Sequence, residues 1–250
     1  MNVRKELRDI ETVAVMNLQW VRRLPLLFFG YALILPSVFA FMFIVISKGT
    51  NLNYVLLGTI IFSVVQPTFL GMAKNLMSDK FTGMLTYYKL LPISPLSLSL
   101  GVSLSSLAIS APALVLYTAF AIYVGAIGPV TVLGIIIVIV ATVLTWIFFS
   151  GLGYLFAMSS SRVKQAQMSV DIIWAVLIFF SPAYYSTDVL PQGLRYVFYL
   201  NPVTYYSDLF RDCLTSSGSL LFILIDLAVI GALSVAMMLP MFRGWKWVDK

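Results

Sequence analysis

Between Lys89 and Arg162 the chain runs for 72 residues without a single Asp, Glu, Lys or Arg. About 20 apolar residues suffice to cross the hydrocarbon core of a bilayer, so this stretch alone holds at least two crossings. A soluble fold needs a polar exterior, with roughly a quarter of its residues charged. Here 10% of 250 residues are charged and 60% are hydrophobic. The chain is therefore expected to be an all-α polytopic membrane protein, a single transmembrane domain over residues 1–250 with no separate soluble domain.

Apolar runs at 26–46, 54–73, 100–124, 130–158, 168–183 and 220–241 read as six spans. Ser47-Lys48-Gly49-Thr50-Asn51 ends the first, and Gly125-Ala126-Ile127-Gly128-Pro129 separates the third from the fourth with strong turn chemistry. No internal repeat is evident, which speaks against the inverted-repeat secondary transporters. In residues 2–23, Val3, Leu7, Ile10, Ala14, Leu18 and Val21 recur at the helical period. Arg4, Lys5, Arg8, Asp9 and Glu11 fill the other face. Such a helix lies in the membrane interface; an ordinary solvated helix is the plain alternative. It lacks the apolar core and cleavage site of a signal peptide.

Six spans place thirteen of the sixteen Lys and Arg residues on one side and only Lys48, Arg195 and Arg211 on the other. Because the cytoplasmic side collects cations, both termini are expected in the cytoplasm, with the chain in the plasma membrane. The net charge of +6 then reports orientation and not nucleic-acid binding. The single cysteine, Cys213, allows no intrachain disulfide. The absence of histidine removes the commonest general base, haem ligand and metal ligand, so no catalytic residue and no metal site is expected. There is no G-x-x-x-x-G-K-[ST] phosphate loop either.

Two connectors are neither spans nor free loops. In 74–95, KNLMSDKFTGMLTYYKLLPISP, the residues Met77, Phe81, Met84, Leu85, Tyr88 and Leu91 share one helical face, with Asp79, Lys80 and Lys89 elsewhere. The pattern predicts a short amphipathic helix that either docks into a groove on a cytoplasmic partner or lies on the bilayer surface. In 184–214, Pro191 and Asn201-Pro202 are each suited to opening a helix. Val203, Tyr206, Phe210 and Cys213 or Leu214 then form an apolar stripe, while Asp208 and Arg211 are spaced to pair on the exposed side. Dense tyrosines suit an interface belt. This segment is expected to be an outer re-entrant helical hairpin.

This order of elements resembles the ABC-2 type transporter permeases across essentially the whole chain. Phe81-Thr82-Gly83-Met84-Leu85-Thr86 followed by Leu90-Leu91-Pro92-Ile93-Ser94 is similar to the family's cytoplasmic "G-T-L-E…L-P-I-S" coupling segment. Leu190-Pro191, Leu200-Asn201-Pro202-Val203-Thr204-Tyr205 and Arg211 are similar to its outer "L-P…N-P-L-T…R" segment. The chain departs from the family where a Glu often precedes the glycine and another follows the leucine: here stand Lys80-Phe81 and Thr86-Tyr87. The resemblance implies a membrane-spanning exporter subunit that binds no cofactor itself. ATP and Mg would sit on a separate cytoplasmic ABC ATPase. It also implies a homodimer, or a heterodimer with a related permease, and coupling through residues 77–92.

Candidates for the path are few. Buried ionisable groups in a membrane are functional candidates because lipid disfavours them strongly. Asp171, seven residues after Lys164, and Asp226, within reach of Arg195 or Arg211, are the two here; both are also open to a purely structural pairing. Ser63, Gln66 and Thr68 flank Pro67 in the second span, although such hydroxyls often bond backbone. A path this poor in charge suits amphipathic, lipid-like or drug-like cargo. A secondary transporter or channel working without an ATPase is the alternative, and it would want a chain of buried ionisable groups.

Overall fold

The computed structural model describes residues 3–49, 51–91, 93–128, 130–159, 162–185, 191–215 and 218–242. Every regular element among them is helical. Helix α1 (Val3–Arg23) lies against α7 (Pro95–Val124). It buries Val13 and Ala14, and Gly101 permits the approach: a Cβ there would stand 2.6 Å from Val13 Cβ. The next rod is α2 (Pro25–Phe29), a π-turn at Gly30–Ile34 and α3 (Leu35–Ile46), interrupted where Pro36 withholds its amide.

The central element is α4 (Leu52–Gln66), a second π-turn at Pro67–Gly71 and α5 (Met72–Phe81). Together they make a rod of 30 residues, about 45 Å long at 1.5 Å per residue. Its apolar window is 94% buried, against 28% for α7 and for α8 (Val132–Ser159) and 17% for α12 (Leu220–Phe242). The rod is therefore the axis of the bundle, packed by α3, α7, α8, α9 (Val163–Phe179) and α11 (Pro202–Thr215). Lipid tails are as apolar as leucine, so close packing has to hold such helices together. Phe62 meets Trp174 at 5.2 Å edge-on, and Phe69 lies 6.4 Å from the same indole. Aromatic pairs of this kind contribute about 0.5–1.5 kcal/mol each. Gly153 of α8 lets the π-turn come close: a Cβ there would sit 2.7 Å from the Phe69 carbonyl oxygen.

By length and composition four helices are able to cross a membrane: Leu52–Phe81, Pro95–Val124, Val132–Ser159 and Leu220–Met241. Ala32–Ile46 and α9 are shorter. Helix α9 ends at Phe179, short of the expected 183, because Pro182 cannot continue a helix and disfavours helical geometry at Ser181. Ser181, Ala183 and Tyr184 are buried nonetheless. The helix expected as the third span starts at Pro95, ahead of the expected 100, since Ser94 caps it by accepting from Ser97 N at 3.0 Å. Two short helices remain, α6 (Met84–Leu90) in the first connector and α10 (Gln192–Phe198) before α11.

Candidate functional site

The first connector is two helices, not the single one its periodicity predicts. Helix α5 stops at Phe81, and Gly83 takes φ 81°, a left-handed conformation that turns the chain before α6. The break divides the expected common face. Met77, Leu85 and Tyr88 are buried and Phe81 is half-buried against the core. Met84 is 39% exposed and Leu91 48%, and they point outward with Tyr87 at 65% and Leu90 at 80%. Met84, Tyr87 and Leu90, three apart, lie along the outer face of α6, and Leu91, the extended residue that closes the helix, continues this apolar stripe. Tyr87 and Leu90 lie off the face that one helix continuing through Gly83 would bury. Burial, with the Asp79 carboxylate adding to it, pushes the Tyr88 phenol above its usual range. Pro92 lies outside the described residues.

Lys80 anchors this connector. Its ammonium donates to the Met158 carbonyl at 2.9 Å and the Ala157 carbonyl at 3.4 Å, at the C-terminal end of α8. A cation suits the negative end of a helix and a carboxylate does not. Asp79, its neighbour, is half-buried in α5. Where the resemblance leads one to expect Glu, this chain needs Lys.

At the opposite end of the bundle, Asn201 joins two helix ends. Its Oδ1 accepts from Val203 N at 3.0 Å, capping α11, while Nδ2 donates to the carbonyls of Leu177 (2.8 Å) and Phe180 (2.9 Å) at the close of α9. Pro202 opens α11, and Pro191 precedes α10, its carbonyl accepting from Leu194 N and Arg195 N. Thr204 Oγ1 donates to the Phe198 carbonyl at 2.6 Å. Arg211 and Asp208 do pair, at 3.5 Å, but inside the protein and not on the exposed side expected. The guanidinium donates through Nη2 to the carbonyls of Pro182 and Ala183, and it lies 4.7 Å from the Tyr54 ring centre. The apolar stripe Val203, Tyr206, Phe210, Cys213 and Leu214 is buried against protein, facing α8 and α12.

The family profile described as ABC-2 type transporter matches residues 13–215, which include both connectors. The chain belongs to that family. A sequence search among curated proteins returned no match. The chain is thus a multi-pass membrane permease subunit of an ABC transporter, of a family that works with a separate ABC ATPase subunit and has no nucleotide site of its own.

The candidate path residues of this permease do not form one surface. Ser63 and Thr68 are buried, their hydroxyls donating to the Ile60 and Val64 carbonyls of their own helix, each at 2.7 Å. Gln66 is 2% exposed and also faces the interior. Asp171 stands on an open face and pairs with Lys74 Nζ at 3.0 Å, both half-exposed; its expected partner was Lys164. Asp226 is half-buried in α12, while Arg211 is held by Asp208 and the two carbonyls.

Proposed function

We propose that this chain is the membrane-spanning half of an ATP-driven exporter, with six spans and both termini in the cytoplasm. On this reading α2–α3 and α9 supply the two further crossings. Helix α9, at 17 residues, is at the short end for a span. The α10–α11 pair forms the outer re-entrant hairpin, and a second permease, identical or related, completes the path. ATP and Mg are held by the partner ATPase, which docks on the α5–α6 connector.

The observation that carries this reading is the outward stripe of Met84, Tyr87, Leu90 and Leu91. An amphipathic helix that leaves such a stripe unpaired fits a groove on a partner. Lys80 and the buried Leu85 and Tyr88 tie it to α8 and to the bundle axis. A push on α6 therefore reaches the membrane-embedded rod through packed contacts. Met77, Asp79, Phe81 and Gly83 belong to that linkage rather than to the docking surface. Of the path candidates, Asp171 alone stands on an open face, so the path is assigned to the Lys74–Asp171 side; Ser63, Gln66 and Thr68 serve helix packing. Cargo with little charge, amphipathic and lipid-like or drug-like, suits such walls.

Co-purification with the cognate ATPase tests the proposal. Tyr87→Asp and Leu91→Asp should abolish ATPase capture while leaving insertion and monodispersity unchanged. Leu85→Asp should instead impair the permease itself. Normal capture by both outward variants would sink the docking assignment.

A further inference from the structure

The rod at the bundle axis changes partners at its π-turn. Before Pro67, α4 packs chiefly on α7 and α3; after Gly71, α5 packs chiefly on α8. The neighbouring helices follow the same division: α1 lies along α7, whereas α8 carries α11 and α12. Between the two groups, α7 touches α8 and α12 only lightly. Polar contacts there centre on Ser103 of α7, whose hydroxyl donates to Ser150 Oγ at 2.6 Å and whose carbonyl accepts from the Trp146 indole at 3.1 Å. Each group is also tied within itself. Tyr117 of α7 donates to the Leu33 carbonyl at 2.6 Å, and its oxygen meets Ser37 Oγ of α3 at 2.6 Å. Lys80 of α5 donates to the last carbonyls of α8.

The turn itself is suited to bending. Pro67 brings no amide to the ladder, and Thr68 Oγ1 donates to the Val64 and Val65 carbonyls at 2.7 and 3.0 Å, which keeps both partnered at the break. Its two flanks are small. A Cβ on Gly71 would stand 2.8 Å from Ser106 Oγ of α7, and Gly153 of α8 faces the Phe69 carbonyl. At the far end of the bundle, Arg211 of α11 lies over the Tyr54 ring of α4 and clamps the two groups together, which leaves the ends near α6 to move. Hinges are a few residues at element ends, and π-turns inside helices recur at functional positions. We propose that Pro67–Gly71 is the joint at which a push on α6 swings α5 and α8 against α4 and α7. This rests on the reading of α5–α6 as the coupling connector. A swing of about 20°, the size of a sharp kink, moves the end of α5, about 15 Å from Gly71 at 1.5 Å per residue, by about 5 Å.

Distances between spin-label pairs test the joint, in the complex with the cognate ATPase in nanodiscs and on a Cys213→Ser background. Each complex carries one labelled permease, and distances are read before and after trapping with ATP and vanadate. Labels replace exposed residues: Thr12 on α1, Asn53 on α4, Thr82 at the end of α5, Tyr123 on α7 and Ser159 on α8. The Thr12–Thr82 distance should change by about 5 Å, while Asn53–Tyr123 and Thr82–Ser159 stay fixed. Ser103→Cys with Ser150→Cys, once oxidised, should abolish the change, and a reductant should restore it. An equal change at Asn53–Tyr123 would mean that the rod moves as one piece, and a change at Thr82–Ser159 that α5 slides over α8. Either overturns the proposal, as does a fixed Thr12–Thr82 distance in a complex that captures its ATPase and hydrolyses ATP. Failed capture would instead refute the docking reading, and the joint is then judged on the permease alone. There the Thr12–Thr82 distances should spread more widely than the Asn53–Tyr123 distances and narrow on oxidation of the cysteine pair; equal spreads overturn the joint.

Discussion

Two side chains hold the end of the bundle where α9 meets α11. Arg211 binds the carbonyls of Pro182 and Ala183, pairs with Asp208 and lies over Tyr54. Only a planar fork makes these contacts together, and a lysine cannot replace it. Arg211→Lys should therefore cost about 2 kcal/mol, the loss of hydrogen bonds from a charged donor. A lowered melting temperature of the detergent-solubilised protein would register it, and an unchanged one would refute the anchor. Asn201 makes a sharper case because it serves two helices with opposite chemistry. Asn201→Asp keeps the acceptor for Val203 N but sets an oxygen against the Leu177 and Phe180 carbonyls. It should be no more stable than Asn201→Ala, which costs about 1–2 kcal/mol as a lost cap. If capping of α11 were its whole role, the Asp variant would instead melt like wild type.

Among the elements, the axial rod and the broken connector matter most. The π-turn at Pro67–Gly71 lies against α8 at Gly153, where backbone on the facing side leaves no space for a side chain. Gly153→Val should destabilise the permease by about 1–3 kcal/mol, the usual cost of overpacking, seen as early loss of the monodisperse peak on heating. Gly83 differs in kind. Nothing lies within 4 Å of where its Cβ would be, so only its left-handed φ resists substitution. Gly83→Ala should cost about 1–2 kcal/mol and leave packing intact. A larger effect on ATPase capture than on melting would place the turn in the coupling linkage.

At the scale of the whole molecule, the single native cysteine becomes a tool. Cys213 is on the buried face of α11, so a membrane-permeant maleimide should leave the native protein unlabelled and modify it only after denaturation in detergent. New cysteines then report topology without background. Ser159→Cys, exposed at the end of α8, should react only with reagent inside the cell. Ser219→Cys, exposed before α12, should react only from outside. Labelling of both from the same side would contradict six spans.

Read as a linear string, the chain already declares its class. The uncharged run from 90 to 161 can reside only in a membrane, since lipid forbids unpaired charge and water forbids so much apolar surface. Periodicity and turn residues also located the long helices and both connectors, because those signals depend on neighbours in sequence. Other features depend on neighbours in space. Lys80 on the α8 carbonyls, Arg211 on Pro182 and Ala183, and Asp171 on Lys74 join residues far apart in the chain, and no local spacing announces such pairs. The facing of α6 turned on one glycine. Residues 77–91 fit a helical period throughout, but Gly83 rotates everything after it, and only the packing of Leu85 and Tyr88 into the bundle decided which side chains remain outside.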